Sequence, residues 1–97
     1  GLMGGYPAQY QFTQQPNDVL DYDIDLSEWV ATGDTITSTT ASADTGLTVS
    51  VSNGTTTTPK IWCSGGADGT SYKVTVTVVT NDGRTKEIDF RLSVREE

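Results

Sequence analysis

The sequence predicts an all-β domain, an immunoglobulin-like β-sandwich of about seven antiparallel strands with a flexible N-terminal arm. Seventeen of its 97 residues are threonine, whose branched side chain favours strands over helices. Ten glycines and three prolines supply turn residues between short alternating segments. These segments recur at the spacing typical of a sandwich or barrel, and no helical pattern is long enough to connect parallel strands.

The predicted domain boundary separates residues 1–17 from residues 18–97. The first segment carries no charge and is rich in glutamine, glycine and proline, so it is expected to be flexible or extended. Its large rings belong to Tyr6, Tyr10 and Phe12, and aromatic side chains are common anchors in interfaces. The segment is therefore either a disordered tail or a docking arm whose partner contacts are these three residues.

The first predicted strand of the domain alternates apolar and acidic residues from residue 19 onward. Its two faces consist of Leu20, Tyr22, Ile24 and Leu26 on the core side, and of Asp21, Asp23 and Asp25 on the other. The acidic row is either a solvent face that discourages edge-to-edge pairing or a weak site for a hard cation. A short turn beginning with Ser27 as its N-cap is expected next, followed by a weak strand over residues 35–43.

A hairpin is predicted in the middle of the chain. Alternation over residues 47–51 leads directly to Asn53-Gly54, a strong two-residue turn signal, and the returning segment spans residues 55–64. Pro59 has no backbone N–H, so the first half of that segment is predicted to be an exposed edge. Pro59 is therefore the fourth candidate for a partner contact.

The C-terminal hairpin is the longest regular pattern, from Tyr72 to Val94 with a turn at residues 81–83. Two inward faces are expected, formed by Tyr72, Val74, Val76 and Val78, and by Ile88, Phe90, Leu92 and Val94. Tyr72 follows a glycine-rich corner, which predicts the tyrosine corner of immunoglobulin-like folds, in which the hydroxyl bonds to nearby backbone.

Composition argues against catalysis and against two classes of partner. A net charge of −7 repels nucleic-acid phosphates and anionic membranes, so neither is expected as a partner. The chain has no histidine and a single cysteine, Cys63, which its apolar surroundings predict to be buried and unreactive. No catalytic residues, cofactor or metal site are predicted, and we do not expect an enzyme.

Two blocks of sequence resemble a known family. Residues 18–36, DVLDYDIDLSEWVATGDTI, are similar to the opening of small proteins encoded among tailed-phage structural genes. Residues 61–96, IWCSGGADGTSYKVTVTVVTNDGRTKEIDFRLSVRE, are similar to their second half. These proteins are described as fiber-tail adaptors or virion-associated immunoglobulin-like proteins.

The resemblance implies a non-enzymatic component of the virion, assembled in the host cytoplasm, that joins or decorates neck, tail or fiber parts. Its implied partners are other virion proteins, together with copies of itself in a symmetric assembly. The alternative is a module of a bacterial surface adhesin or carbohydrate-binding protein, because sandwiches host many functions. A sugar site of that kind would depend on Trp29 and Trp62 sharing one exposed face.

Overall fold

The computed structural model describes residues 10–52 and 55–96, which form seven strands in two sheets. The strands are β1 (Tyr10–Gln14), β2 (Val19–Asp23), β3 (Ile36–Ala43), β4 (Leu47–Ser52), β5 (Lys60–Gly65), β6 (Thr70–Thr80) and β7 (Thr85–Val94). One sheet has the order β1-β7-β6-β3 and the other has the order β2-β5-β4. The predicted all-β sandwich is confirmed. Within the described ranges, no helix is long and apolar enough to cross a membrane.

One strand pairing differs from the predicted antiparallel pattern. β1 runs parallel to β7, with Tyr10 opposite Phe90 and Gln14 opposite Val94. The other strand pairs are antiparallel. Residues 10–14, which were expected to belong to a flexible or extended arm, are therefore an edge strand of the four-stranded sheet.

The core lies between the two sheets and is formed mainly by the long C-terminal hairpin. β6 and β7 alternate as predicted, and their inward side chains are almost fully buried. The buried apolar residues are Ile24, Leu26, Leu47, Ile61, Cys63, Tyr72, Val74, Val76, Val78, Ile88, Phe90, Leu92 and Val94. Burial of one such aliphatic or aromatic side chain contributes roughly 1.5–3 kcal/mol, so this set is the main source of stability.

The first predicted strand has the predicted alternation, but only part of its predicted core face is buried. Regular pairing ends at Asp23, and Ile24 and Leu26 continue the ladder by donating backbone hydrogen bonds to Pro59 (3.0 Å) and Thr57 (3.0 Å). Ile24 and Leu26 are fully buried, whereas Leu20 is 41% exposed. The prediction of Leu20 as a core residue is wrong, because it lies near the start of an edge strand.

A single turn follows, as predicted, but its cap is a different residue. The Leu26 carbonyl accepts hydrogen bonds from the backbone N–H groups of Trp29 (2.9 Å) and Val30 (3.0 Å). The Asp25 carboxylate accepts from the backbone N–H of Ser27 at 2.9 Å. Asp25 therefore stabilises the entry to the turn in place of Ser27.

The predicted tight hairpin in the middle of the chain is replaced by a longer connection. Ser52 pairs with Lys60, so residues 53–59 join β4 to β5, and the Asn53-Gly54 pair lies outside the described residues. The prediction of an exposed edge at Pro59 is wrong. Pro59 is buried, and its carbonyl accepts the Ile24 hydrogen bond because this segment continues the β2–β5 ladder. A missing N–H is compatible with this position, since only the carbonyl of Pro59 is used.

The predicted tyrosine corner is confirmed. The Tyr72 hydroxyl accepts a hydrogen bond from the backbone N–H of Ala67 at 2.8 Å. Gly66 packs against this ring with a φ of 91°, and a Cβ there would lie 2.8 Å from Val94 Cγ2. Glycine is required at this position both for the backbone conformation and for the close approach.

Candidate functional site

The two sides of the sandwich differ, and the first of them is closed by a buried glutamine. We call the side where β1 meets β2 the closed side. Gln14 of β1 is 3% exposed, and its amide nitrogen donates to the carbonyls of Cys63 (3.2 Å) and Asp18 (3.3 Å). Its side-chain oxygen accepts from the Tyr22 hydroxyl at 2.7 Å. One side chain of the four-stranded sheet is thus hydrogen-bonded to the three-stranded sheet.

Three aromatic rings pack beside this glutamine. The ring centroids of Phe12 and Tyr22 are 4.3 Å apart, and Phe12 meets Phe90 edge-on at 5.4 Å. Burial, together with nearby Cys63 and carboxylates, raises the pKa of Tyr22 to about 12. The hydroxyl therefore remains protonated and able to donate to Gln14. These contacts hold β1 and β2 together at the closed side.

The predicted acidic row lies on β2, the end strand of the three-stranded sheet, and it is paired with a lysine. Lys60 Nζ lies 2.8 Å from Asp21 Oδ2 and 3.0 Å from Asp23 Oδ1. The hydrogen bond from Lys60 lowers the pKa of Asp21, and the same bonds raise the pKa of Lys60. Asp25 is separate from this group and caps the following turn. Among the described residues no cluster of three potential metal ligands occurs. Two of the three aspartates in the row are instead paired with Lys60.

The opposite side, where the edges of β3 and β4 face each other, contains a cleft of about 470 Å³. We call this the open side. Its apolar lining is contributed by Ile36, Val51 and Pro59, and its hydroxyl groups by Thr37, Ser38, Thr39, Ser52, Thr55 and Thr56. No charged residue is among these lining residues. The cleft is therefore suited to a ligand with apolar groups and backbone-like polar groups, and it offers no ionic recognition.

The open side has a signature in the sequence that residue-by-residue reading missed. Asp44 is the single charged residue among residues 35–59, although a fifth of the whole chain is charged. This segment contains both β3 and β4. Depletion of charge is typical of the centre of protein–protein interfaces, so the composition of this segment could have indicated the open side.

One end of the open side is held by a buried carboxylate. The Asp34 side chain is fully buried and accepts hydrogen bonds from the backbone N–H groups of Thr35 (2.9 Å) and Asp82 (3.1 Å) and from Arg84 (3.2 Å). Burial acts to raise the pKa of Asp34, but these bonds and one from Thr80 outweigh it and lower the pKa. Asp34 thereby connects the β6–β7 turn to the start of β3.

The four predicted partner contacts lie at different places. Tyr6 lies outside the described residues, Tyr10 begins β1, and Phe12 is half-buried in the aromatic group of the closed side. Pro59 is buried at the base of the open-side cleft. Phe12 and Pro59 both make contacts within the chain, and a partner contact by any of the four residues stays a prediction.

The two tryptophans do not share a face. Trp29 packs against the core beside its turn. Trp62 alternates with buried Ile61 and Cys63, so it lies on the outer face of the three-stranded sheet, and its indole N–H donates to Ser52 at 2.8 Å. The paired aromatic surface required by the carbohydrate-binding alternative is therefore absent from the described residues.

The single cysteine is buried, as predicted. Cys63 is fully inaccessible to solvent, and burial raises the pKa of its thiol to about 11. A thiol in this state is protonated at neutral pH, whereas the thiolate is the reactive form. Cys63 is consequently a core residue.

Fold and surfaces together define a small immunoglobulin-like structural domain with one closed and one open side. The family model of the podophage GP4 fiber-tail adaptor protein gp77 matches residues 14–93, and the chain belongs to this family. The resemblance predicted from the two sequence blocks is confirmed, and membership indicates a structural component of the phage virion. No curated protein matches the chain.

Proposed function

We propose that this chain is a non-enzymatic adaptor that joins or decorates neck, tail or fiber components of a phage particle through protein–protein contacts. The observation that carries this proposal is the match to the fiber-tail adaptor family over residues 14–93. An adaptor must present surface to more than one neighbour, and the two sides of this sandwich offer different surfaces.

The open side supports the contact mechanism. Its cleft contains apolar and hydroxyl groups without charge, and charged residues are depleted at the centres of interfaces. Charge is concentrated elsewhere, including the Asp21–Lys60–Asp23 group at the opposite edge. We infer that the open side faces a protein neighbour in the particle.

The partners we propose are other virion proteins and further copies of this chain. Closed symmetry is the common solution for assemblies of identical chains, and a small rigid module is suited to repetition around an axis. A net charge of −7 supports the view that neither nucleic acid nor a membrane is a direct partner.

The absence of catalysis is supported by two properties of the chain. It contains no histidine, the most frequent general acid or base, and its one thiol is buried and protonated. An adaptor requires neither group.

Immunogold electron microscopy of purified phage particles, with antibody against residues 18–97, tests the proposal. We expect label at the neck, tail or fibers, and its position identifies the junction. Particles without label, with the protein found by mass spectrometry in the host envelope, would instead favour the surface-adhesin alternative.

A further inference from the structure

We infer that the open-side cleft binds residues 1–9 of a neighbouring copy, with Tyr6 seated between β3 and β4. The inference rests on the proposed adaptor function and adds to it a specific contact between copies. It combines the chemistry of the cleft, the position of the two strand edges, and the place where the N-terminal segment enters the domain.

The acceptor is formed by two strand edges that carry no charged side chains. β3 and β4 are end strands of their sheets, and an end strand presents backbone groups on which another strand can pair. Natural edges are commonly protected by charged side chains, but neither β3 nor β4 contains a charged residue. β2, in contrast, has Asp21 and Asp23 on its exposed edge. The Ile36 N–H at the start of β3 already donates to the Thr56 carbonyl at 2.9 Å, so the edges suited to an added segment are β3 after Ile36 and β4.

The cleft between these edges matches the chemistry of the donor. Residues 1–9, GLMGGYPAQ, are uncharged, and Tyr6 is their aromatic residue. Ile36, Val51 and Pro59 supply apolar surface for a ring, while the surrounding hydroxyls supply partners for a phenol or for backbone groups. A tyrosine combines both requirements, because it has an apolar body and a polar end.

The reach of the segment favours a neighbour over the same chain. β1 and β3 are at opposite ends of the four-stranded sheet, so a strand added beyond β3 lies four strand spacings from β1, or about 19 Å. Tyr6 is four residues from Tyr10, and four extended residues span at most about 14 Å. Tyr6 of the same chain therefore falls short of the far edge of β3, whereas Tyr6 of an adjacent copy is not limited in this way.

Placing donor and acceptor on opposite sides also determines the kind of assembly. The segment leaves one copy at the closed side and binds the open side of the next, which is a heterologous, head-to-tail contact. Repetition of such a contact gives a ring when the rotation closes. This arrangement fits a module that is repeated around a particle axis.

Disulfide trapping between two full-length variants tests the contact. One chain carries Tyr6→Cys and the other Ser38→Cys, in the cleft lining; Cys63 is retained because it is fully buried. The chains are mixed, oxidised and analysed by mass spectrometry for the mixed disulfide. The matched control replaces Ser38→Cys with Ser71→Cys, at an exposed serine of β6. We expect at least about tenfold more mixed disulfide with Ser38→Cys, because docking raises the effective concentration of the two thiols.

Equal yields from Ser38→Cys and Ser71→Cys would overturn the inference. A chain that carries both Tyr6→Cys and Ser38→Cys should form covalent oligomers, and a closed monomer would overturn the assignment to a neighbour. Val51→Lys in the acceptor chain should reduce the yield, whereas Thr48→Lys, on the outer face of the same strand, should not. If the particles carry immunogold label but the two disulfide yields are equal, the contact between copies is rejected and the adaptor function is not. If the particles carry no label, the adaptor function is rejected whatever the disulfide yields.

Discussion

The closed and open sides of the sandwich join the same two sheets by different means. On the closed side, a buried glutamine and three rings connect β1 to β2. On the open side, β3 and β4 border a cleft without charged lining. Side-chain contacts therefore complete the fold at one edge, while a cleft remains between the two strands at the other edge. Stability should depend on the closed side, and assembly on the open side.

Truncation at the N-terminus should separate these two roles most clearly. Removing residues 1–17 deletes β1 with the half-buried ring of Phe12 and the buried amide of Gln14, so we expect the free energy of unfolding to fall by at least about 3 kcal/mol. Removing residues 1–9 leaves β1 intact and should change it by less than about 0.5 kcal/mol. Urea denaturation followed by tryptophan fluorescence measures both.

The shorter truncation also tests assembly. Loss of residues 1–9 should reduce incorporation into particles while the domain stays folded, and normal incorporation would contradict a docking role for the arm. If the two truncations were equally stable, β1 would not contribute to the closed side as the structure indicates.

Gln14→Ala should have the next largest effect. It removes the donor to the Cys63 and Asp18 carbonyls and the acceptor for Tyr22, and leaving such groups unpaired costs about 1–3 kcal/mol. Gln11→Ala, at an exposed position of the same strand, is the matched control and should be nearly neutral. Equal losses for the two variants in chemical denaturation would show that the buried amide does not connect the sheets.

Asp34, at one end of the open side, should make a smaller and pH-dependent contribution to the free energy of unfolding. Its pKa is lowered in the folded protein, so its stabilising effect is present above the unfolded pKa near 3.8 and is lost as pH falls through the lower folded value. The wild-type midpoint in urea should therefore decrease below about pH 5. Asp34→Asn should be less stable at pH 7 and should lose less on acidification. Parallel curves for the two proteins would exclude Asp34 as a source of the acid sensitivity.

Much of the fold is predictable because its longest patterns are local. Apolar and polar side chains alternate over residues 72–78 and 88–94, and a glycine-rich corner identifies the role of Tyr72. Cys63 is predictable as a core residue because it lies in an apolar stretch of the sequence, and the lack of histidine argues against a reactive thiol. The sequence therefore contains enough local information for the C-terminal hairpin and for the part of the core that it contributes.

The closed side was missed because its determinants are not local. β1 pairs with β7, which follows it by most of the chain length, and parallel pairing has no turn signal. The inward residue Gln14 is polar, so the alternation of Tyr10, Phe12 and Gln14 does not read as a core strand. Its burial is explained only when the carbonyl of Cys63 and the hydroxyl of Tyr22 are placed beside it.

Pro59 shows the opposite error. A missing N–H indicated an edge exposed to solvent, but the carbonyl of Pro59 is the group that pairs with Ile24. The segment is covered because it extends the β2–β5 ladder beyond the end of β4. A rule that considers only the missing N–H cannot distinguish a proline on a solvent-exposed edge from a proline whose carbonyl pairs within a ladder.

Val51→Lys should have the smallest effect on stability and thereby isolates the open side. Val51 is 37% exposed, and a substitution at such a position usually changes the free energy of unfolding by no more than about 0.5 kcal/mol. The same lysine places a charge in the otherwise uncharged cleft, so it should impair assembly into particles. Thr48→Lys, on the outer face of β4, adds the same charge outside the cleft and should impair neither property. Thermal denaturation and a particle-incorporation assay on both variants measure the two effects. If Val51→Lys assembled as efficiently as Thr48→Lys, the open side would have no role in assembly. The two sides would then differ only in how much they contribute to the stability of the domain.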